Sequence, residues 1–397
     1  MFHQMNRRDV VKSLAGLAAG GFVMNRLTES SNAACSYFAA EDRDINQPAQ
    51  KAFINWEPEK QRESFTVQPK FEGNAKDFGM VIPTPAQPKL DEMPRDFFRT
   101  LAVFSILEPM PIDKYKLLRR RNSRSSPGAS TGTKRTVVVL EEGVVGTLDY
   151  KIIKAENARD LFRWLDQHGY SYSGDEKTLD HYVSKGWFFT VMKIDPTQMK
   201  RRADGSYVGN VTPTRFTFTS EQLIYPLRIT KISVKKFTEA LFYVQAPEKM
   251  DLGGSFSYQF SWQPMWSQAM NWATGLRDDE KAWFKHIQSH LEKFRQRVTN
   301  LRKDGVQPTT LEWAKKITAK DLDVIDGTVS FNRDAPADEV RKLKLLRGHI
   351  QKGKFVTKFR KVFHNREMQD DLALVTASAG GKPDITDYYQ ILPTSPP

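Results

Sequence analysis

The sequence predicts an α+β protein, with a mixed or antiparallel sheet core and flanking helices over residues 35–250 and a mainly helical C-terminal region over 251–390. Three observations carry this. Residues 136–233 hold a series of short runs rich in β-branched and aromatic residues, which suit a pleated, half-buried surface. Thr214-Arg215-Phe216-Thr217-Phe218-Thr219 alternates strictly, the two-residue period of a strand. Across 278–304, Phe284, Ile287, Leu291, Phe294, Val298 and Leu301 step by threes and fours, the spacing of one apolar helix seam.

At 397 residues the chain has room for two compact units, since domains run about 100 to 200 residues. Sixty Lys and Arg against 47 Asp and Glu give a net charge of +13, which attracts anionic envelope polymers, lipid head groups or nucleic acid through a salt-sensitive field. A generally basic, solvated surface accounts for the same charge without a specific site. The single cysteine, Cys35, excludes an intramolecular disulfide and a cysteine-rich zinc site. Mean hydropathy is −0.55, and no apolar run reaches the roughly 18 residues of a spanning helix, so no transmembrane span is expected in the mature chain.

Asn6-Arg7-Arg8-Asp9-Val10-Val11-Lys12 resembles the twin-arginine export motif, with Arg7, Arg8 and the closing Lys12 as its charged residues. A short Gly/Ala-rich apolar stretch follows over 13–24, then Ser30-Ser31-Asn32-Ala33-Ala34, where Ala33 and Ala34 mark the expected cleavage region. Residues 1–34 therefore read as a removed export segment. A general secretory signal and an amphipathic helix are the alternatives. Cys35 stands where a lipid could be attached, although Asn32 occupies a position at which such signals carry an apolar residue.

The remaining elements follow in order. Lys51 to Trp56 and Ser64 to Gln68 alternate around a polar link, as a hairpin does, and Phe78-Gly79-Met80-Val81-Ile82-Pro83 reads as a strand stopped by proline. A helix is expected over 95–104. Residues 114–135 hold eight Lys and Arg, among them Arg119, Arg120 and Arg121, around a Ser/Gly/Thr-rich centre, and read as a basic flexible insertion. No aromatic interleaves those arginines, so specific nucleic-acid binding is not expected. Runs at 136–140 and 144–153 predict two strands separated by a turn at Glu141-Glu142-Gly143, and a helix follows over 156–165. Trp187 to Ile194 and Tyr225 to Ile232 predict strands, the second opening at Pro226.

Asp77 to Pro85, Leu140-Glu141-Glu142 with Val145-Gly146, Trp164-Leu165-Asp166-Gln167-His168-Gly169-Tyr170, Tyr182-Val183-Ser184-Lys185-Gly186-Trp187, Tyr225-Pro226-Leu227-Arg228-Ile229, Phe355-Val356-Thr357-Lys358 and Met368 to Leu372 together resemble the bacterial family called domain of unknown function 2330. The resemblance implies export and a shared fold. It implies no catalytic residue.

In the second half, Ala240 to Val244 predicts a strand, and the aromatic cluster Phe256, Tyr258, Phe260, Trp262, Trp266 and Trp272 reads as a packing surface, with sugar stacking or a membrane interface as the alternatives. The 284–301 seam predicts packing on a second helix such as 340–350, or on a second protomer as a homo-oligomer. His286 and His290 are four apart and are weak metal candidates, but no Glu completes a protease motif between them. Asp321 to Gly327 lacks the spacing of a calcium loop, and Thr318 is the expected helix cap. Residues 342–363 read as basic and helical, and 391–397 as a loose tail.

No phosphate-cradling glycine loop, nucleophile elbow or zinc-protease helix is present in the sequence. Glu141 and Glu142, as neighbours in a strand, would face opposite ways and cannot share a substrate atom. The expectation is an exported periplasmic, envelope or secreted protein without a cofactor, acting as a binding or structural module with an unidentified envelope or anionic-polymer partner. The alternative is a hydrolase of envelope or extracellular material whose site is assembled from dispersed residues, with His168 and His181 as candidates.

Overall fold

The computed structural model describes residues 36–39, 45–46, 49–73, 78–106, 108–109, 139–145, 148–167, 176–194, 200–201, 203, 207–258, 260–261, 307–331, 336–377 and 388–389. In chain order the main strands are β1 (Ser36–Ala39), β2 (Ala49–Glu57), β3 (Arg62–Gly73), β4 (Phe78–Thr84), β5 (Lys89–Glu92), β6 (Val139–Val145), β7 (Leu148–Lys154), β8 (Phe188–Ile194), β9 (Thr214–Thr219), β10 (Phe237–Ala246), β11 (Thr310–Lys316), β12 (Phe355–His364) and β13 (Leu372–Thr376). The helices are α1 (Phe97–Phe104), α2 (Ala158–Gln167), α3 (Glu176–Ser184), α4 (Leu227–Thr230), α5 (Ala319–Asp326) and α6 (Ala337–Arg341).

Two sheets face each other. The smaller is antiparallel in the order β1-β4-β8-β7-β6. The larger runs β3-β2-β10-β12-β11 through its centre, with β2 and β10 parallel, and β9 then β5 extend it beyond β3. Period-two alternation decides what each face buries. From the small sheet Met80, Ile82, Met192 and Ile194 point inward to meet Ala52, Ile54, Phe65, Phe242 and Phe359 of the large one. The opposite set, Val81, Ile153, Phe189 and Val191, packs under Leu161, Leu165, Leu179 and Tyr182 of α2 and α3. On the far side of the large sheet, Phe53, Leu241, Tyr243 and Trp313 pack under α1, α5 and the 3-10 turn at 342–346. The result is four layers: helices, small sheet, large sheet, helices.

Many local expectations match. The hairpin is β2 and β3, paired Ile54 to Phe65, β8 and β9 lie where strands were expected, and β4 does too but runs through Pro83 to Thr84. Thr318 caps α5: its side chain accepts from the Asp321 amide while the Asp321 carboxylate takes the Thr318 amide at 2.8 Å. Gly327, in the left-handed region at φ 76°, ends that helix as no calcium loop would.

The expected mainly helical C-terminal region is overturned. After residue 306 the described chain supplies β11, β12 and β13, and only short helices between them. The 342–363 stretch, expected to be one basic helix, is a 3-10 turn followed by β12. Gly348 and Gly353, both at positive φ, end the helical part. From there Phe359, Lys361 and Phe363 turn inward on alternate positions. The strand expected over 225–232 is also corrected. Only Ile224–Tyr225 is extended, because Pro226 fixes its φ at −71° and starts the short α4. Glu141 and Glu142 are not a turn. They lie within β6, and the reversal comes between Val145 and Leu148.

Tyr258 is 1% exposed and lies in the inter-sheet core, with Phe256 against the same cluster, so that part of the aromatic cluster is packing. The 114–135 insertion, the 278–304 helix with His286 and His290, Trp262, Trp266, Trp272 and the export segment lie outside the described residues. Among the described residues no helix is long and apolar enough to cross a membrane.

Strand β12 pairs with β10 on one side and β11 on the other. A chain ending at residue 350 is expected to lose its folded circular-dichroism signature and its cooperative urea transition. Phe242→Ala, at a side chain with no exposure, is expected to cost about 3–5 kcal/mol in the same measurement.

Candidate functional site

Among the described residues a cluster of titratable side chains forms where α3 ends. The inner face of α3, with Leu179, Tyr182 and Val183, is buried on the small sheet, which leaves His181 to one side of the contact. Gly186, at φ 69°, then reverses the chain so that the Trp187 amide bonds the Tyr182 carbonyl at 3.0 Å. That turn brings Lys185 back beside His181.

Asp371, just ahead of β13, is the centre of the cluster, with a side chain 1% exposed. Its Oδ1 accepts from the Tyr182 hydroxyl at 2.5 Å and from the Arg228 amide at 3.3 Å. The Tyr182 oxygen in turn accepts from the Ile229 amide at 2.9 Å. On the other oxygen, Lys185 Nζ lies 3.3 Å from Oδ2 and also donates to His181 Nε2 at 2.8 Å. An ammonium only donates, so toward Lys185 the His181 Nε2 accepts, while the same nitrogen lies 3.3 Å from Asp371 Oδ2 and 3.4 Å from Asp370. Burial, and then the Lys185 charge, lower the His181 pKa against the pull of Asp371. Burial, and then the Asp371 carboxylate, push the Tyr182 hydroxyl well above its ordinary value.

His181, Asp370 and Asp371 offer ligand atoms within 4.8 Å of one another, a donor set suited to a divalent cation. The Lys185 ammonium already stands among them, 3.8 Å from Asp370 and over the Trp187 ring at 5.5 Å. The chain thus supplies its own cation there. Chemically the arrangement is a clasp: it ties α3, α4 and the approach to β13 together, and uses both oxygens of Asp371 to do so.

Beside the clasp, the outward residues of α3 and the start of α2 form a groove of about 550 Å³ lined by Asn157, Arg159, Arg163, Glu176, Lys177 and Asp180. Its walls are solvated and of both signs. Arg159, 74% exposed, stands 3.8 Å from Glu176, and Arg163 pairs with Asp160 at 3.0 Å. Such a groove can hold a polar ligand, but brings together no nucleophile and base.

Of the residues singled out from the sequence, only His181 enters this cluster. His168, His286, His290, Cys35, Arg7, Arg8, Lys12, Ala33 and Ala34 lie outside the described residues, and Glu141 and Glu142 are in β6. Sequence reasoning missed Asp371, Lys185 and Tyr182. A signal for them existed: the stretches 182–187, 225–229 and 368–372, each part of the family resemblance, are the three that meet here.

Removing one partner of a buried charged network leaves the others uncompensated, so Asp371→Ala is expected to cost about 3–5 kcal/mol in urea unfolding. Asp370→Ala, at a side chain 76% exposed, is expected to match the wild type. The folded chain holds His181 neutral at pH values where the unfolded chain takes up a proton. Stability is therefore full above the ordinary imidazole value of about 6.5 and falls as pH drops below it. His181→Gln is expected to flatten the loss of Tm between about pH 7 and pH 5.

Comparison with curated proteins and with solved structures finds no match. Residues 29–371 match the family described as an uncharacterized protein conserved in bacteria, DUF2330, and the chain belongs to that family.

Proposed function

We propose that this protein is exported and works in the cell envelope or outside the cell as a binding or structural module, held to an anionic partner by its positive charge. The observation that carries the reading is the use made of the His181 cluster. It holds the residue types of a hydrolase, yet both Asp371 oxygens, the Tyr182 hydroxyl and His181 Nε2 are spent on contacts between elements of the fold. A catalytic base needs a free lone pair facing a substrate. Here His181 Nε2 is enclosed by Lys185 and Asp371.

The export half of the reading rests on Arg7, Arg8, Lys12 and the short apolar stretch after them. The partner half rests on the net charge of +13, whose field favours polyanions and weakens with salt.

Fractionation of the native cells tests both halves. The expected outcome is an envelope or extracellular pool whose N-terminus begins near residue 35 and which high salt releases from the pellet. A cytosolic pool retaining Arg7 and Arg8, with none exported, overturns the reading. Release by detergent and not by salt replaces the charge-held partner with a lipid on Cys35.

A further inference from the structure

Beyond β3 the large sheet continues through β9 to β5, and on the face that carries Phe53 its cross-strand rows turn polar. Asp91, Arg215 and Thr66 form one row with Phe53, and Lys89, Thr217, Ser64 and Asn55 form the next. Helix α1 and the 3-10 turn cover the apolar part of this face, leaving the polar rows half-buried beside them.

Arg215 is placed there without a close ion pair, with the Asp91 charge acting on it only from beyond that distance. Its Nε donates to Thr66 Oγ1 at 3.3 Å and its Nη2 to His349 Nδ1 at 2.9 Å. Among the described residues no carboxylate reaches ion-pair distance of it. Asp91, its cross-strand neighbour, is engaged by Lys89 at 2.8 Å. Lys354 makes no close ion pair either: its ammonium donates to Asn55 Oδ1 at 3.3 Å, while Glu57, whose charge reaches it, is bonded by Lys60 at 2.8 Å and Arg62 at 2.7 Å. The Gln245 amide links the two cations, donating to Asn55 Oδ1 at 2.9 Å and to the His349 carbonyl at 3.0 Å.

His349 is held in place by design of the backbone. Gly348 adopts φ 77°, a left-handed turn that brings the next residue back onto the sheet, and Phe97 packs on the imidazole at a centroid distance of 5.3 Å. Since a guanidinium only donates, Nδ1 is the acceptor and Nε2 carries the proton. Burial and the Arg215 charge lower its pKa to about 4, so the ring is neutral at physiological pH.

We propose that Arg215, beside His349 and linked to Lys354 through Gln245 and Asn55, binds the carboxylate or phosphate group of an anionic ligand. A guanidinium has five N–H donors, and two are used, which leaves three for an incoming oxyanion. Two oxygens of one group fit that planar fork, and an anion offsets the cost of holding a half-buried cation away from water. The inference rests on the binding reading above and names the chemistry of the ligand. Binding by the purified chain tests the site and fractionation tests the location, so the two fail separately.

The test is calorimetric titration of the full chain with inorganic phosphate and with citrate at fixed ionic strength, repeated on Arg215→Gln and Lys354→Gln, with circular dichroism to check folding. Saturable binding of one probe per chain is expected, weakened tenfold or more by Arg215→Gln and a few-fold by Lys354→Gln. Phosphate alone binding assigns a phosphoryl ligand, and citrate alone a carboxylate. In the wild type the His349 ring, which the Arg215 guanidinium contacts at 2.9 Å, is expected to titrate at higher pH with the probe bound; a purely structural Arg215 predicts no such shift. If Arg215→Gln does not fold, the ring titration and Lys354→Gln decide. No saturable binding of either probe, equal binding by a folded Arg215→Gln, or an unmoved His349 titration overturns the proposal.

Discussion

The small sheet and the central strands of the large one are apolar on both faces, so neither is stable in water until both faces are covered. That constraint generates the four layers. In β10, Ala240, Phe242 and Val244 must meet the small sheet while Leu241 and Tyr243 must meet α1 and the 3-10 turn. The small sheet is bound in the same way. Met80 and Ile82 of β4 look to the large sheet, and Val81 between them looks to α2 and α3. A helix pair on one side, or a strand in the middle, cannot leave without exposing a face that has no polar alternative.

The sequence made local geometry legible and long-range pairing opaque. Strand β9 could be read from its own six residues, and the Thr318 cap from a spacing of three, because the deciding interactions lie within the stretch itself. Strand β12 could not. Its Lys358 and Arg360 look like the solvated face of a helix, yet they bond Glu312 of β11, and Arg360 also bonds Glu239 of β10. Against the upward push of burial, those two cations hold the Glu312 carboxyl below its usual range. The basic residues that suggested a surface are there because neighbouring strands carry the acids. The candidate site hid for the same reason: Asp371 meets Tyr182 across 189 residues of sequence and the Arg228 amide across 143.

The clasp around Asp371 also follows from the layers. Helix α3 covers the small sheet, while β13 pairs with the two short strands Ile224–Tyr225 and Met250–Leu252. Apolar packing fixes the distance between these parts but says little about their angle, since it has no direction. Hydrogen bonds do. A single carboxylate that accepts a phenol and an ammonium from the end of α3 and an amide from α4 sets that angle, and its near-complete burial means that none of the three can be lost to water without a large penalty.

Two cations show where this economy stops. Lys361, 2% exposed, is carried inside the sheet by Glu367 at 2.9 Å, by the Gln307 carbonyl at 2.7 Å and by the rings of Phe256 and Phe363. Burial lowers its pKa, but the partner carboxylate opposes that within the same fold. Arg215 is half-buried on the polar edge of the large sheet, and has a hydroxyl and a neutral imidazole in place of a carboxylate. Both residues bear the cost of leaving water. For Lys361 the chain offsets it with a paired anion of its own, and for Arg215 only with the more distant charge of Asp91. A fold that spends Glu312, Glu239, Glu367 and Asp371 so fully on its own cations, yet leaves Arg215 with two hydrogen bonds for five donors, has at that position the chemistry of a receptor for someone else's anion.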